Sequence, residues 1–418
     1  MKRPKIAFFG HFGSGNFGNE STLQAILCHL TRVAVDTEFT CICTSPETVA
    51  ATYNIAAVRT PYHVVRPWKL NNRLTRLARK LVVGIPSELW RWLKALKILW
   101  GTDALVIPGT GLLTDAWGLW GWGPYDLFKW SLTARLCRCK VLFVSVGAGP
   151  LYSRAGRFFA KTALSLADFR SYRDESSQQY LTSIGFQADN DRVYPDLAFS
   201  LPESMIPLRH DRKGRRLVVG LGLMEHGGMY GVRGPTDAEY AAYLDCLVLF
   251  VEWLLAQGYD IRLLIGDVGD RPATREFGDL LKERIPAADE ARIMDDPVSC
   301  VEDLLAQLAG TDVVVATRFH NVLLALLLNK PVISISFHHK CSSLMSAMGL
   351  SDYCMEISGL SAEDLIGKFR ALETNAHTLK DSIKQKTAEC ARALDEQYSL
   401  IFRELNVPVD EPCFAVGR

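Results

Sequence analysis

The segment TRFHNVLLALLLNKPVISISFHHK, residues 317–340, combines residue types that can hold an anion and move a proton. A short apolar run ends at Ala316, and Thr317, Arg318 and His320 occupy the turn before an apolar helix. Backbone N–H groups at a helix start, joined by a guanidinium, make an anion site. The next apolar run begins twelve residues after His320 and ends at His338, His339 and Lys340. If the two runs are adjacent parallel strands, both polar clusters lie on one edge of the sheet, and one cleft holds Arg318, His320 and Lys340. Each residue alone has a plainer explanation: a structural ion pair for the arginine, packing for the histidine, a solvated charge for the lysine. Their combination at the mouths of neighbouring strands is what points to a site.

A second cluster, Gly13-Ser14-Gly15-Asn16-Phe17-Gly18-Asn19-Glu20, follows the first apolar run. Gly13, Gly15 and Gly18 match the G-x-G-x-x-G spacing of dinucleotide binders, and Asp36 or Glu38 stands where the ribose-binding acid would. A nicotinamide-dependent oxidoreductase is therefore one reading, although the charged cluster around Arg318 would then have no purpose. The same loop can also serve only to let backbone approach a neighbouring strand.

These clusters need a scaffold, and the chain predicts one. Lys5 to Gly10 has the pattern of a buried strand, Ser21 to Val33 that of a helix, and Glu38 to Cys43 that of a second strand, with a helix from near Pro46. Strand-like runs recur at Ala104 to Pro108, Val141 to Val146 and Phe169 to Tyr172. They end in Gly109-Thr110-Gly111, Gly147-Ala148-Gly149-Pro150 and Arg173-Asp174-Glu175-Ser176, and Asp196 closes the series. Further strands are expected at Leu217 to Leu223, Asp260 to Ile265, Asp312 to Ala316 and Val332 to Ser336. Helices are expected over Thr236 to Gln257, Ser299 to Ala309, Asn321 to Leu328 and much of Ala362 to Leu405. Alternating strands and helices imply α/β architecture with parallel sheets. The chain of 418 residues is long enough for two such lobes with a central cleft. The expected division is a first lobe over 1–201, a linker over 202–216, a second lobe over 217–375, and a helical tail over 376–418 that packs back on the first lobe.

Composition is that of a folded globular protein, 48% hydrophobic and 22% charged, and the net charge of +1 gives no global sign of nucleic-acid binding. The eleven cysteines lack metal-site spacing: Cys41 and Cys43, like Cys137 and Cys139, sit two apart. They are expected to be buried thiols in a reducing compartment, with no metal bound. The run Ile6 to Phe9 is too short for a secretory signal, and no stretch is long enough to span a bilayer, so a cytoplasmic location is expected. Residues 66–100 stand apart. Arg66, Lys69, Arg73, Arg76, Arg79, Lys80, Arg91, Lys94 and Lys97 face the single acid Glu88, with Trp68, Trp90, Trp92 and Trp100 among leucines. Such a segment either lies on an anionic membrane surface, making the protein peripheral at the inner face, or is an outer helix whose tryptophans pack inward.

Six segments fall in the order typical of one family. GSGNFGNES near the start, GTGLLTD at 109–115, GAGP at 147–150, YRDESS at 172–177, PDLAF at 195–199 and the TRFH…KPVISISFHHK block resemble the polysaccharide pyruvyltransferases. The resemblance spans roughly residues 5–350. Asn19 stands where the family usually has Asp, which leaves Glu20 as the carboxylate there, and Thr110 interrupts what is often a run of glycines.

The resemblance implies a two-lobed fold similar to the glycosyltransferase B type, phosphoenolpyruvate as donor, a sugar acceptor and no metal or redox cofactor. Forming a pyruvate ketal requires protonation of the donor's methylene carbon and positive groups for its carboxylate and phosphate. Carried onto this chain, His320 is the expected acid, and Arg173, Arg318 and Lys340 hold the donor; His320 and Lys340 match the family's motif positions best. The acceptor is expected near Gly15, Asn16, Glu20, Gly109, Gly111 and Asp115, with either Glu20 or Asp115 as base. Trp117, Trp120 and Trp122 either stack on sugar faces or pack a lid. A lipid-linked acceptor would give the basic aromatic stretch a purpose. The rival readings are a sugar-nucleotide glycosyltransferase of the same fold and a non-catalytic carbohydrate-binding relative.

Overall fold

The computed structural model describes residues 3–34, 36–60, 80–109, 111–116, 118–119, 123–207, 216–225, 236–337 and 339–407. The expectations placed on Trp68, Thr110, Trp117, Trp120, Trp122 and His338, on all of the basic stretch before Lys80, and on the middle of the 202–216 linker lie outside these residues. By contacts the chain forms two compact units. One comprises Met1–Ser14, His29–Asp196 and Gln397–Arg418, and the other Gly15–Cys28 and Leu197–Glu396.

The first unit is built on a seven-stranded sheet, β1 (Lys5–Phe9), β2 (Glu38–Cys43), β3 (Ala56–Arg59), β4 (Ala104–Pro108), β5 (Lys140–Val146), β6 (Phe169–Tyr172) and β7 (Arg192–Val193). The order is β3-β2-β1-β4-β5-β6-β7, and every pairing is parallel. The reversal between β1 and β4 is the topological switch of a Rossmann-like sheet. β4 is buried at every position, and β5 at all but its first. Both therefore read as continuous apolar runs rather than alternating ones, as strands covered on both faces must. Helix α1 (Phe17–Val33) belongs to the second unit up to Cys28, and the first unit's own helices are α2 (Pro46–Tyr53), α3 (Ile85–Leu99), α4 (Pro124–Leu136), α5 (Arg154–Ser165) and α6 (Glu175–Ser183). Phe9, Trp130, Phe143 and Tyr172 fill the core between sheet and helices.

The second unit carries β8 (Val218–Leu223), β9 (Asp260–Ile265), β10 (Ile293–Met294), β11 (Val313–Ala316), β12 (Val332–Ser336) and β13 (Cys354–Glu356) in the order β10-β9-β8-β11-β12-β13. All are parallel. Around them run α7 (Asp237–Ala256), α8 (Arg271–Arg284), α9 (Ala287–Glu290), α10 (Val301–Ala309), α11 (Phe319–Leu327), α12 (His339–Ala347), α13 (Ala362–Thr374) and α14 (Ala376–Glu404). A capping box between Thr236 and Glu239 starts α7, whose Phe250 and Trp253 pack on Phe369 of α13. The predicted class, two Rossmann-like α/β lobes, is the class observed.

One local departure matters. The first helix begins at Phe17, not Ser21. The reason is Asn16: its Oδ1 accepts from the backbone N–H of Asn19 at 3.1 Å and caps the helix, so Gly18, Asn19 and Glu20 belong to a first turn rather than a loop. The last turns of α14, from Gln397 on, belong to the first unit. Gln397, fully buried, donates to Ser171 Oγ at 2.7 Å and accepts from Ser145 Oγ at 3.1 Å. Ser171 Oγ in turn accepts from the N–H of Ser145, whose φ of 48° is unusual for a residue other than glycine.

Candidate active site

The second unit gathers most of the sequence-predicted residues. β11 and β12 are adjacent and parallel, with Ala316 opposite Ser334, so the turns that follow both strands lie on one sheet edge, as the spacing predicts. Arg318 is the N-cap of α11, and His320 and Asn321 lie in its first turn. The first N–H groups of a helix have no carbonyl one turn earlier to accept them and favour negative charge. Lys340 is the second residue of α12 and half-buried. The Cys341 thiol meets the carbonyl of Thr317 at 3.8 Å, which sets the first turn of α12 beside the β11–α11 turn.

Arg318 is held from below. Its Nε and Nη2 donate to the two oxygens of Asp270 at 2.8 and 2.5 Å. Asp270 is fully buried and also accepts from the N–H of Glu225 at 3.1 Å. Burial pushes the Asp270 carboxyl above its ordinary value, against the pull of Arg318. Thr317, also fully buried, shares a 2.9 Å hydrogen bond with the Tyr243 hydroxyl. The whole strand-to-helix turn is thus fixed by buried polar contacts. Asn321 is fully buried too, and among the described residues neither atom of its amide has a hydrogen-bond partner.

The glycine cluster joins this group through residues 15–28, which belong to the second unit. Asn16 and Asp267 form an isolated antiparallel bridge, and Asn16 Nδ2 donates to Asp267 Oδ2 at 2.8 Å. Phe17 N–H donates to Gly266 at 3.1 Å, and Val268 N–H to Gly15 at 2.9 Å. The consequence is a close approach at Gly18: a methyl group there would fall 1.9 Å from Nδ1 of His320. Only glycine lets the first turn of α1 lie against the imidazole ring. Glu20 follows two residues later in the same turn, half-buried.

Arg173, Gly109, Gly111 and Asp115 belong to the first unit. Arg173 follows β6 directly, 8% exposed, with Nη1 3.2 Å from Asp196 and Nε 3.6 Å from Asp174. It lies over Gly147, where a methyl group would fall 2.6 Å from Nη2. Burial works against ionisation of Asp174, but Arg173 and hydrogen bonds from Ser176 and Ser177 outweigh it and hold the carboxyl below its ordinary value. Asp115 accepts from Tyr152 N–H at 2.7 Å, Ser153 N–H at 2.9 Å and Ser153 Oγ at 2.6 Å, which fixes the start of α5. Gly109 follows β4 directly, and its N–H donates to Val144 at 2.7 Å.

Sequence reasoning missed Asp267, Asp270 and Asn321. The signal was present: GDVGD follows β9 directly, and the carboxyl edge of a parallel sheet is where polar residues should be sought. Among the described residues no group of three His, Cys, Asp or Glu side chains is placed to hold a metal ion.

Two parallel sheets of Rossmann order, with charged and glycine residues at their strand ends, define a two-unit α/β protein of the glycosyltransferase B type. Solved structures share this fold. MnaA from S. aureus, solved with UDP, superposes with a TM-score of 0.61 at 12% identity, covering 98% of this chain and 99% of that one. A glycosyltransferase from Rickettsia africae gives 0.56 at 10% identity, covering 98% and 100%. At such identities the likeness is one of fold. The amylovoran biosynthesis protein AmsJ of Erwinia amylovora is 20% identical over 428 residues, 94% of this chain and 96% of its own length. The family model for polysaccharide pyruvyl transferase matches residues 16–339, and the chain belongs to that family.

Proposed function

We propose that the protein transfers the pyruvyl group of phosphoenolpyruvate to a sugar residue of a polysaccharide or its precursor, forming a ketal and releasing phosphate. The observation that carries this is the junction of His320 with Gly18, beside the Asp270-bound Arg318 at the start of α11, in a chain of this family. In the proposed reaction the His320 imidazolium protonates the donor's methylene carbon. The neighbouring carbon becomes an oxygen-stabilised cation, two acceptor hydroxyls add to it, and its bond to the phosphate oxygen breaks. Two protons leave the hydroxyls; one balances that given to the methyl group and the other departs with phosphate.

The residues suit these tasks. Arg318 can offer a fixed guanidinium to a carboxylate or phosphate, and Lys340 a point charge, while the N-terminus of α11 adds its dipole. A ring packed on Gly18 is restrained in orientation, as a general acid must be. Glu20 is proposed as the base, because both oxygens of Asp115 are already engaged by Tyr152 and Ser153. Arg173, anchored by Asp174 and Asp196, is the first unit's candidate anion contact. The proposed reaction uses no metal or redox cofactor. The test is phosphate release from phosphoenolpyruvate in the presence of saccharide precursors. His320→Ala should abolish release while donor binding persists, and equal loss of both would reject the acid role.

A further inference from the structure

We propose that the outward face of α3 rests on an anionic bilayer surface. The inward face of this helix is buried at Arg91, Ala95 and Leu99. Its opposite side exposes Ile85 by 47%, Leu89 by 60% and Leu93 by 64%, four residues apart and so in one line along the helix. Trp90, 55% exposed, flanks that line; Val82, 72% exposed, precedes it, and Trp100, 81% exposed, follows it. Isolated exposed apolar side chains are ordinary, but a continuous stripe over more than two turns marks an interaction surface.

Charge selects the partner. The helix has one acid, Glu88, and it is turned toward the protein. Glu88 pairs with Arg91, accepts from the Tyr125 hydroxyl at 2.6 Å and lies 3.8 Å from Nζ of Lys129. The charges left at the outer side are Lys97, exposed, and Lys94, whose Nζ lies 5.3 Å from the Trp90 ring centre. The face therefore combines leucines, tryptophans and lysines with no carboxylate. That is the composition of a helix lying in the plane of a membrane interface, with tryptophans at the headgroup boundary and lysines reaching anionic phosphates. A protein partner would call for no such uniform sign. In sequence alone, residues 61–79 just before add five basic residues and no acid. This inference is independent of the donor and of the reaction proposed above.

The test is co-sedimentation with vesicles of phosphatidylcholine alone and of an equimolar mixture with phosphatidylglycerol. The intact chain should bind the mixed vesicles, bind the neutral ones much less, and lose affinity in high salt. Leu89→Gln combined with Leu93→Gln should weaken binding at least about tenfold, as loss of two buried leucines requires. Lys94→Gln combined with Lys97→Gln should erase the preference for the anionic mixture. Leu89, Leu93 and Lys97 are exposed and Lys94 is half-buried, so the melting temperature should change little and serves as the folding control. Absence of vesicle binding, or equal binding by the Leu89/Leu93 variant, overturns the proposal. So does a concentration-dependent dimer that this variant abolishes without any vesicle binding, which would assign the face to a second copy.

Discussion

The Asp270 carboxylate grips the Arg318 guanidinium through two hydrogen bonds, of 2.8 and 2.5 Å, from a position with no solvent exposure of its own. The pair makes the N-cap of α11 a rigid positive group. It also makes Arg318 a structural residue whatever ligand it meets. Arg318→Ala should therefore destabilise the second unit by about 3–5 kcal/mol, because it strands a buried carboxylate. Urea unfolding measures this, and a cost below about 1 kcal/mol would show that the pair is not what holds the turn. The pH dependence has a definite sign. The folded carboxyl sits above its unfolded value, so Asp270 favours the folded state at acid pH, and that contribution is lost as pH rises through the folded value. Without Arg318 the folded value rises further, and the loss between acid and neutral pH should steepen.

Gly18→Ala tests the contact with His320. The added methyl group would fall 1.9 Å from Nδ1, so the ring must turn away. Misplacing a catalytic group by an ångström costs about a hundredfold in rate, and turnover should fall by that order while donor affinity changes little. Unchanged turnover would mean that the ring's position does not matter.

Much of this arrangement was legible beforehand, and the reasons are specific. The runs before Arg318 and Lys340 announced parallel strands because residues buried on both faces of a sheet are apolar without alternation. Their twelve-residue separation from His320 leaves room for one crossover helix, so the shared edge followed from topology. Asp270 was hidden because a buried ion pair links positions 48 apart, and no local pattern announces such a partner. The start of α1 was misjudged because Gly18 and Asn19 read as loop residues, and only the Asn16 cap shows otherwise. The short strands β7, β10 and β13 carry too few residues for any periodicity to emerge.

Asn321 carries a further expectation. A fully buried amide with no partner among the described residues contributes little to stability, since its desolvation offsets its packing. Asn321→Ala should cost less than about 1 kcal/mol, well under the 2–5 kcal/mol usual for truncating a buried side chain of comparable size. Turnover should fall nonetheless if the amide serves the reaction. A large loss of stability would instead show a structural role.

Asp174 offers a pH test in the first unit. Its folded carboxyl lies below the ordinary value, so its stabilising contribution is complete above the unfolded value of about 4 and disappears as pH falls through the folded one. Asp174→Asn keeps the cap of α6, because asparagine caps as well as aspartate, but removes the charge beside Arg173. The variant should melt lower than the wild type at neutral pH, and the two should converge in strong acid. A gap that persists there would place the effect in packing rather than charge.

Calorimetry with phosphoenolpyruvate on the wild type, Lys340→Ala and His320→Ala goes most directly to the proposed reaction. The wild type should bind the donor, Lys340→Ala should bind it at least about tenfold more weakly, as loss of one charge-assisted contact implies, and His320→Ala should bind it nearly as well as the wild type. A wild type that ignores phosphoenolpyruvate but binds a nucleotide sugar would contradict the donor assignment and make the protein a sugar-nucleotide glycosyltransferase instead.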